Sequence, residues 1–115
     1  MELIWIRHLQ TPGNEKRQYI GSTDEPLSEK TVEGFLKNPA EYSEVERVIC
    51  SPMLRCIQTA ELMFPGTERK TEPRLRECDF GQFENRNYEE LKNRPEYQRW
   101  IDSGGMEAFP GGESR

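Results

Sequence analysis

One imidazole, His8, is all that the 115 residues offer, and the thiols number three: Cys50, Cys56 and Cys78. The cysteines form no even set and no Cys-x-x-Cys pair. They therefore read as reduced thiols of a cytoplasmic protein, and neither a disulfide framework nor a zinc site is expected. No apolar run approaches the roughly 20 residues that span a bilayer, and no basic segment leads into a long apolar one, so neither a membrane span nor a signal peptide is expected. Positive charge is also scarce. Sixteen Lys and Arg against 21 Asp and Glu give a net charge of −5, with a pI near 5.0. That balance disfavours nucleic acid or an anionic membrane as the main partner, and any cation that matters must act locally. Two phosphate motifs are missing as well. There is no Gly-x4-Gly-Lys-Ser/Thr loop, and Cys50 and Arg55 are separated by four residues where a cysteine phosphatase needs five. Apolar residues make up only 33% of the chain against 32% charged, which is low for an α/β protein with buried parallel strands. Two Trp, five Phe and four Tyr argue against disorder. The alternative is that part of an apolar core lies outside this sequence.

What remains has the order of an α/β domain. Glu2 to Ile6 reads as a first strand, and Pro12 to Ser28 as a long polar loop. Ser28 caps a predicted helix to about Asn38, where Asn38-Pro39 ends it. Val45 to Cys50 reads as a second strand with Val48, Ile49 and Cys50 buried. Ser51 as N-cap and Pro52 at the first helical position predict a helix to about Phe64, stopped by Pro65-Gly66. Arg69 to Glu72 reads as a third strand, Leu75 to Glu84 as a loop, and Tyr88 to Leu91 and Pro95 to Asp102 as short helices. Segments 103–105 and 110–112 read as loops. Alternating strands and helices imply a parallel sheet within a single domain spanning 1–115. Ligands of such sheets bind beyond the carboxyl ends of the strands, which is where His8 and Ser51 to Arg55 are expected.

Three places carry candidate chemistry. Arg7-His8 with Asn14 combines a nucleophile, a guanidinium and an amide donor. A neutral imidazole can attack phosphorus and form a phosphohistidine that water then hydrolyses. Arginine neutralises the equatorial oxygens of the transferred group with bidentate geometry. Taken alone, the pair reads equally as a strand-end histidine that only hydrogen-bonds. Arg55 falls in the first turn of a helix, where unpaired amides bind anions; taken alone it reads as a solvated surface arginine. Glu77 could protonate a leaving oxygen and then activate water, or be one more solvated carboxylate among 21 acids.

Together these segments resemble the histidine phosphatase superfamily, the phosphoglycerate-mutase-like proteins. The family motif Arg-His-Gly-Glu-Thr-x-x-Asn is matched by Arg7, His8, Thr11 and Asn14. Ser-x-x-x-Arg-x-x-x-Thr-Ala is matched by Ser51, Arg55, Thr59 and Ala60, and Leu-x-Glu-x-x-x-Gly by Leu75, Glu77 and Gly81. The resemblance implies a three-layer α/β/α fold with a mostly parallel sheet. It implies His8 as phosphorylated nucleophile and Glu77 as proton donor. Arg7, Asn14 and Arg55 would bind the phosphate, and Gln10, Thr11, Gly21 and Ser22 the substrate. The substrate implied is a small phosphate ester, with no cofactor and no metal. Segment 19–28, Gly81-Gln82-Phe83-Glu84, Tyr97-x-x-Trp100 and Phe109 to Ser114 are similar to the α-ribazole phosphatase branch, which acts in the cobalamin pathway. A phosphoglycerate mutase shares many of these features.

Three departures stand against the pattern. Leu9 replaces the family glycine and could crowd or reshape the pocket. Gln10 replaces the glutamate, keeping hydrogen bonds and losing a charge. The family continues past Gly-Gly-Glu-Ser with a helix and an apolar strand that ends in a second histidine, whereas this sequence ends at Arg115. The fold is therefore expected to be incomplete at the C-terminus, as the N-terminal portion of a protein of roughly 150 to 200 residues. The exposed sheet edge of such a piece invites pairing with another copy, so a homo-oligomer is allowed. The departures also motivate a second reading, a degenerate member of the fold that binds phosphate esters without turnover.

Overall fold

The computed structural model describes residues 2–42 and 44–113. Ser114, the last residue of the segment similar to the α-ribazole branch, lies outside them. The helices are α1 (Pro12–Glu15), α2 (Glu29–Lys37), α3 (Leu54–Met63), α4 (Tyr88–Leu91) and α5 (Pro95–Asp102). The strands are β1 (Val48–Cys50) and β2 (Arg69–Thr71), and tight 3-10 turns span Pro73–Leu75 and Gly81–Phe83. The chain divides into two compact units. Residues 2–11 and 25–75 form the first, and 12–24 and 76–113 the second.

In the first unit, β1 and β2 pair in parallel, with Val48 opposite Arg69, Ile49 opposite Lys70 and Cys50 opposite Thr71. The connection between them is α3, so the parallel strand–helix–strand pattern expected from the sequence is present. Ser28 caps α2 as expected, its hydroxyl accepting from the Thr31 amide at 3.2 Å. Three expectations fail here. Glu2 to Ile6 is not a strand. It has no ladder partner among the described residues, and Leu3 and Trp5 are 71% and 80% exposed. A strand exists only through pairing, so an apolar run alone does not make one. Ile49 is 57% exposed rather than buried, because only one face of this two-stranded sheet is covered. Ser51 does not cap α3. Its hydroxyl accepts from Met53 N at 3.4 Å, one turn too early, and Met53 takes the cap position. The helix ends as expected at Phe64, with Gly66 in the left-handed region at φ 79°.

The second unit is built on aromatic packing. Phe83, Leu91, Tyr97 and Phe109 are buried together, with Tyr19, Cys78, Phe80 and Trp100 packed around them. Phe80 and Phe83 meet Phe109 edge-on at centroid distances of 4.9 and 5.8 Å, a favoured aromatic geometry. Helices α4 and α5 fall where the sequence placed them, since both carry local start signals. Asn87 and Glu90 close a capping box, and Pro95 occupies the first helical position. The expected Pro12 to Ser28 loop begins instead as the single turn α1, which Pro12 opens. The expected Leu75 to Glu84 loop is also partly wound, into its two 3-10 turns.

One carboxylate secures the 19–24 segment. Glu84 accepts from Gly21 N at 3.0 Å, Ser22 N at 2.6 Å, Ser22 Oγ and Thr23 Oγ1 at 3.1 Å, and Phe80 N at 3.3 Å. Gly21 has no room for a side chain, since a Cβ there would collide with the Cys78 carbonyl. Gly81 at φ 57° lies against the Pro110 carbonyl in the same way, and Gln82 N donates to that oxygen at 2.7 Å.

Two stability predictions follow from these contacts. Replacing Glu84 by Gln turns an acceptor oxygen into a donor among facing N–H groups. It should cost about 1–3 kcal/mol in denaturant unfolding, with Glu84→Ala costing at least as much. Tyr19 donates to or accepts from the Tyr97 hydroxyl at 3.0 Å. Burial, reinforced by that bond, raises its hydroxyl far above the ordinary tyrosine value of 10.0. The unfolded chain then loses this proton first. The associated stability is fully present below pH 10 and declines as pH rises toward the folded value. Unfolding free energies measured from pH 8 to 11 should fall less steeply in Tyr19→Phe than in the wild type.

Candidate active site

The first unit brings Arg55 and the residue beside His8 onto one helix. Arg55 and Thr59 are four residues apart on α3, so they share a face, and both are buried with Ala60. Arg55 is 2% exposed. This overturns its reading as a solvated surface arginine: a guanidinium stays protonated at any ordinary pH, so its charge is held inside the unit.

Thr59 reaches in two directions. Its hydroxyl donates to the Arg55 carbonyl at 2.7 Å, and its oxygen accepts from Leu9 N at 3.0 Å. Leu9 in turn offers its carbonyl to His8 Nδ1 at 2.6 Å. A carbonyl oxygen can only accept, so Nδ1 carries the proton and Nε2 the lone pair. His8 is half-buried and Arg7 exposed. Thr11 is fully buried. Gln10 is exposed, and its carbonyl accepts from Ser28 N at 3.2 Å. Gln58, next to Thr59 on α3, accepts from Leu27 N at 2.7 Å. Chain segments 9–10 and 27–28 are therefore fastened to α3 and to each other.

The remaining candidates belong to the second unit. Asn14 is half-buried in α1, its carbonyl accepting from Arg17 N at 3.0 Å. The amides of Gly21 and Ser22 are engaged by Glu84. Glu77 is exposed, with its Oε1 accepting from Cys78 N at 3.0 Å. Burial pushes the Cys78 thiol up, with the neighbouring Glu77 charge adding to it, and burial also raises the Cys50 thiol. Both are thus kept from thiolate chemistry at neutral pH. No group of three or more His, Cys, Asp or Glu among the described residues is placed to hold a metal ion. No helix among them is long and apolar enough to cross a membrane.

Thr59 and Glu84 have functional weight that the sequence reading did not assign. Thr59 carried a signal, the four-residue step from Arg55 within a matched motif. Glu84 carried none beyond closing the Gly81-Gln82-Phe83-Glu84 segment.

Comparison with known proteins bears on the whole chain. The "probable phosphoglycerate mutase GpmB" of Escherichia fergusonii is 29% identical over 99% of this chain and 56% of its own length. The α-ribazole phosphatase of Shigella flexneri superposes with a TM-score of 0.76 at 26% identity, covering 95% of this chain and 57% of that one. A phosphoglycerate mutase of Thermus thermophilus gives 0.71 at 30% identity, covering 94% and 60%. The fold is thus that of phosphoglycerate-mutase-like proteins, of which the chain spans a little over half the length. Residues 3–115 match the model of the histidine phosphatase superfamily (branch 1), and the chain belongs to that superfamily.

Proposed function

We propose that the protein to which this chain belongs hydrolyses a small phosphate monoester through phospho-His8. The observation that carries the reading is the imidazole itself. The chain's one histidine holds its Nδ1 proton on the Leu9 carbonyl, which leaves the Nε2 lone pair for attack. In the first step Nε2 bonds to phosphorus as the bond to the ester oxygen breaks. Glu77, protonated, gives its proton to the departing alkoxide. In the second step Glu77 as carboxylate takes a proton from water, whose oxygen displaces Nε2 and forms inorganic phosphate. Arg55, Arg7 and Asn14 hold the phosphoryl oxygens, with Gln10, Thr11, Gly21 and Ser22 on the substrate side. Arg55 suits its role because a charge held away from water acts on an anion more strongly than a solvated one.

The substrate favoured by the 19–28 and 109–114 segments is α-ribazole phosphate, which would place the protein in cobalamin synthesis. The Shigella neighbour bears that activity in its name. The GpmB relative and the Thermus neighbour are named for mutases, and exchange between phosphoglycerate isomers separates the two readings.

In the intact protein, His8→Ala should abolish both turnover and transfer of labelled phosphate to the chain; turnover that survives excludes His8 as nucleophile. Arg55→Lys should weaken phosphate binding by roughly 10- to 100-fold, the value of a charge-assisted contact, seen mainly in KM. Glu77→Gln should instead lower kcat by about 10² to 10⁴, the usual span for loss of a general acid. Steady-state kinetics on a series of phosphate monoesters reads both.

A further inference from the structure

We infer that Thr59 is the positioning residue that sets the tautomer and orientation of His8 relative to Arg55, an inference that rests on the phospho-His8 reading above. The contacts form one directed chain. His8 Nδ1–H donates to the Leu9 carbonyl at 2.6 Å, Leu9 N–H donates to Thr59 Oγ1 at 3.0 Å, and the Thr59 hydroxyl donates to the Arg55 carbonyl at 2.7 Å.

Every donor and acceptor in that chain is determined. A carbonyl offers no proton, so both of its ends are fixed as acceptors. Thr59 has one proton, and back-bonding to the carbonyl four residues earlier commits it. Its lone pair is then what the Leu9 amide meets. Only a hydroxyl can accept from one side and donate to the other at this place. Valine, of the same shape, can do neither. The peptide unit of Leu9 is therefore pinned to the helix turn that begins at Arg55, and its carbonyl is held where it takes the Nδ1 proton. Thr59 is 5% exposed, so water does not readily substitute for either bond. Linked bonds of this kind also polarise one another in a low-dielectric surrounding.

Leu9 takes part through its main-chain N–H and C=O alone. The chain of bonds is thus indifferent to the side chain at position 9, and it explains how leucine can stand there.

The solitary histidine makes the test direct, since every imidazole signal belongs to His8. Long-range ¹⁵N–¹H spectra at pH 9, where an ordinary imidazole is neutral, distinguish Nδ1–H from Nε2–H. The wild type should show Nδ1–H. Thr59→Val should give mixed tautomers and roughly tenfold weaker binding of inorganic phosphate, followed on the same signal, while Thr59→Ser restores both. An Nε2–H imidazole in the wild type overturns the inference with no variant needed, even if Thr59→Val fails to fold. So does a folded Thr59→Val with wild-type tautomer and phosphate affinity. Failure of the catalytic reading looks different: turnover would survive His8→Ala, whatever the imidazole spectra show.

Discussion

Holding a permanent positive charge out of water is the constraint on which the first unit depends. Arg55 sits nearly inaccessible at the start of α3, and the side chains buried alongside it in that unit are largely polar: Thr11, Ser28, Ser51 and Thr59. A buried charge is tolerated only where polar groups surround it, so this interior is organised by hydrogen bonds rather than by apolar contact. The second unit follows the opposite rule. Its buried residues are Ile20, Phe83, Leu91, Tyr97 and Phe109, and its stability rests on aromatic burial. Composition averages over the two interiors. The low apolar fraction that seemed anomalous for an α/β chain belongs in part to a unit whose centre is polar by design of its chemistry.

Elements whose causes are local were legible in the sequence. Ser28 before α2, Asn87 and Glu90 at α4, and Pro95 at α5 each act within a few residues, and the helices they start lie where they were expected. Elements whose causes are distant were not. The run from Leu3 to Ile6 has strand composition, but pairing decides whether a strand exists. Ser51-Pro52 has the local grammar of a helix start. The helix begins two residues later, because the Ser51 hydroxyl closes on Met53 rather than on a helical amide.

The site divides in the same way. His8, Arg55 and Glu77 were found from motif spacing, and the burial of Arg55 then gave one of them a physical character that spacing alone could not. The residues that fasten the site were invisible because they act across long stretches of chain. Thr59 meets Leu9 across 50 positions, and Glu84 meets Ser22 across 62. Nothing around either residue in sequence marks such a partner. A threonine inside a helix, or a glutamate among many, looks like an ordinary solvated position.

The two departures within the opening motif carry a different meaning once the contacts are known. Leu9 and Gln10 replace the family's glycine and glutamate, and a substitution in a motif ordinarily argues against the motif's chemistry. In this structure both residues work through main-chain atoms. Leu9 gives its amide to Thr59 and its carbonyl to His8, and Gln10 gives its carbonyl to Ser28. Backbone groups are present whatever the side chain, so these bonds survive the replacements. What the site requires at position 9 is a peptide unit in one orientation. Thr59, fifty residues away on α3, secures that orientation in place of any property of the residue itself.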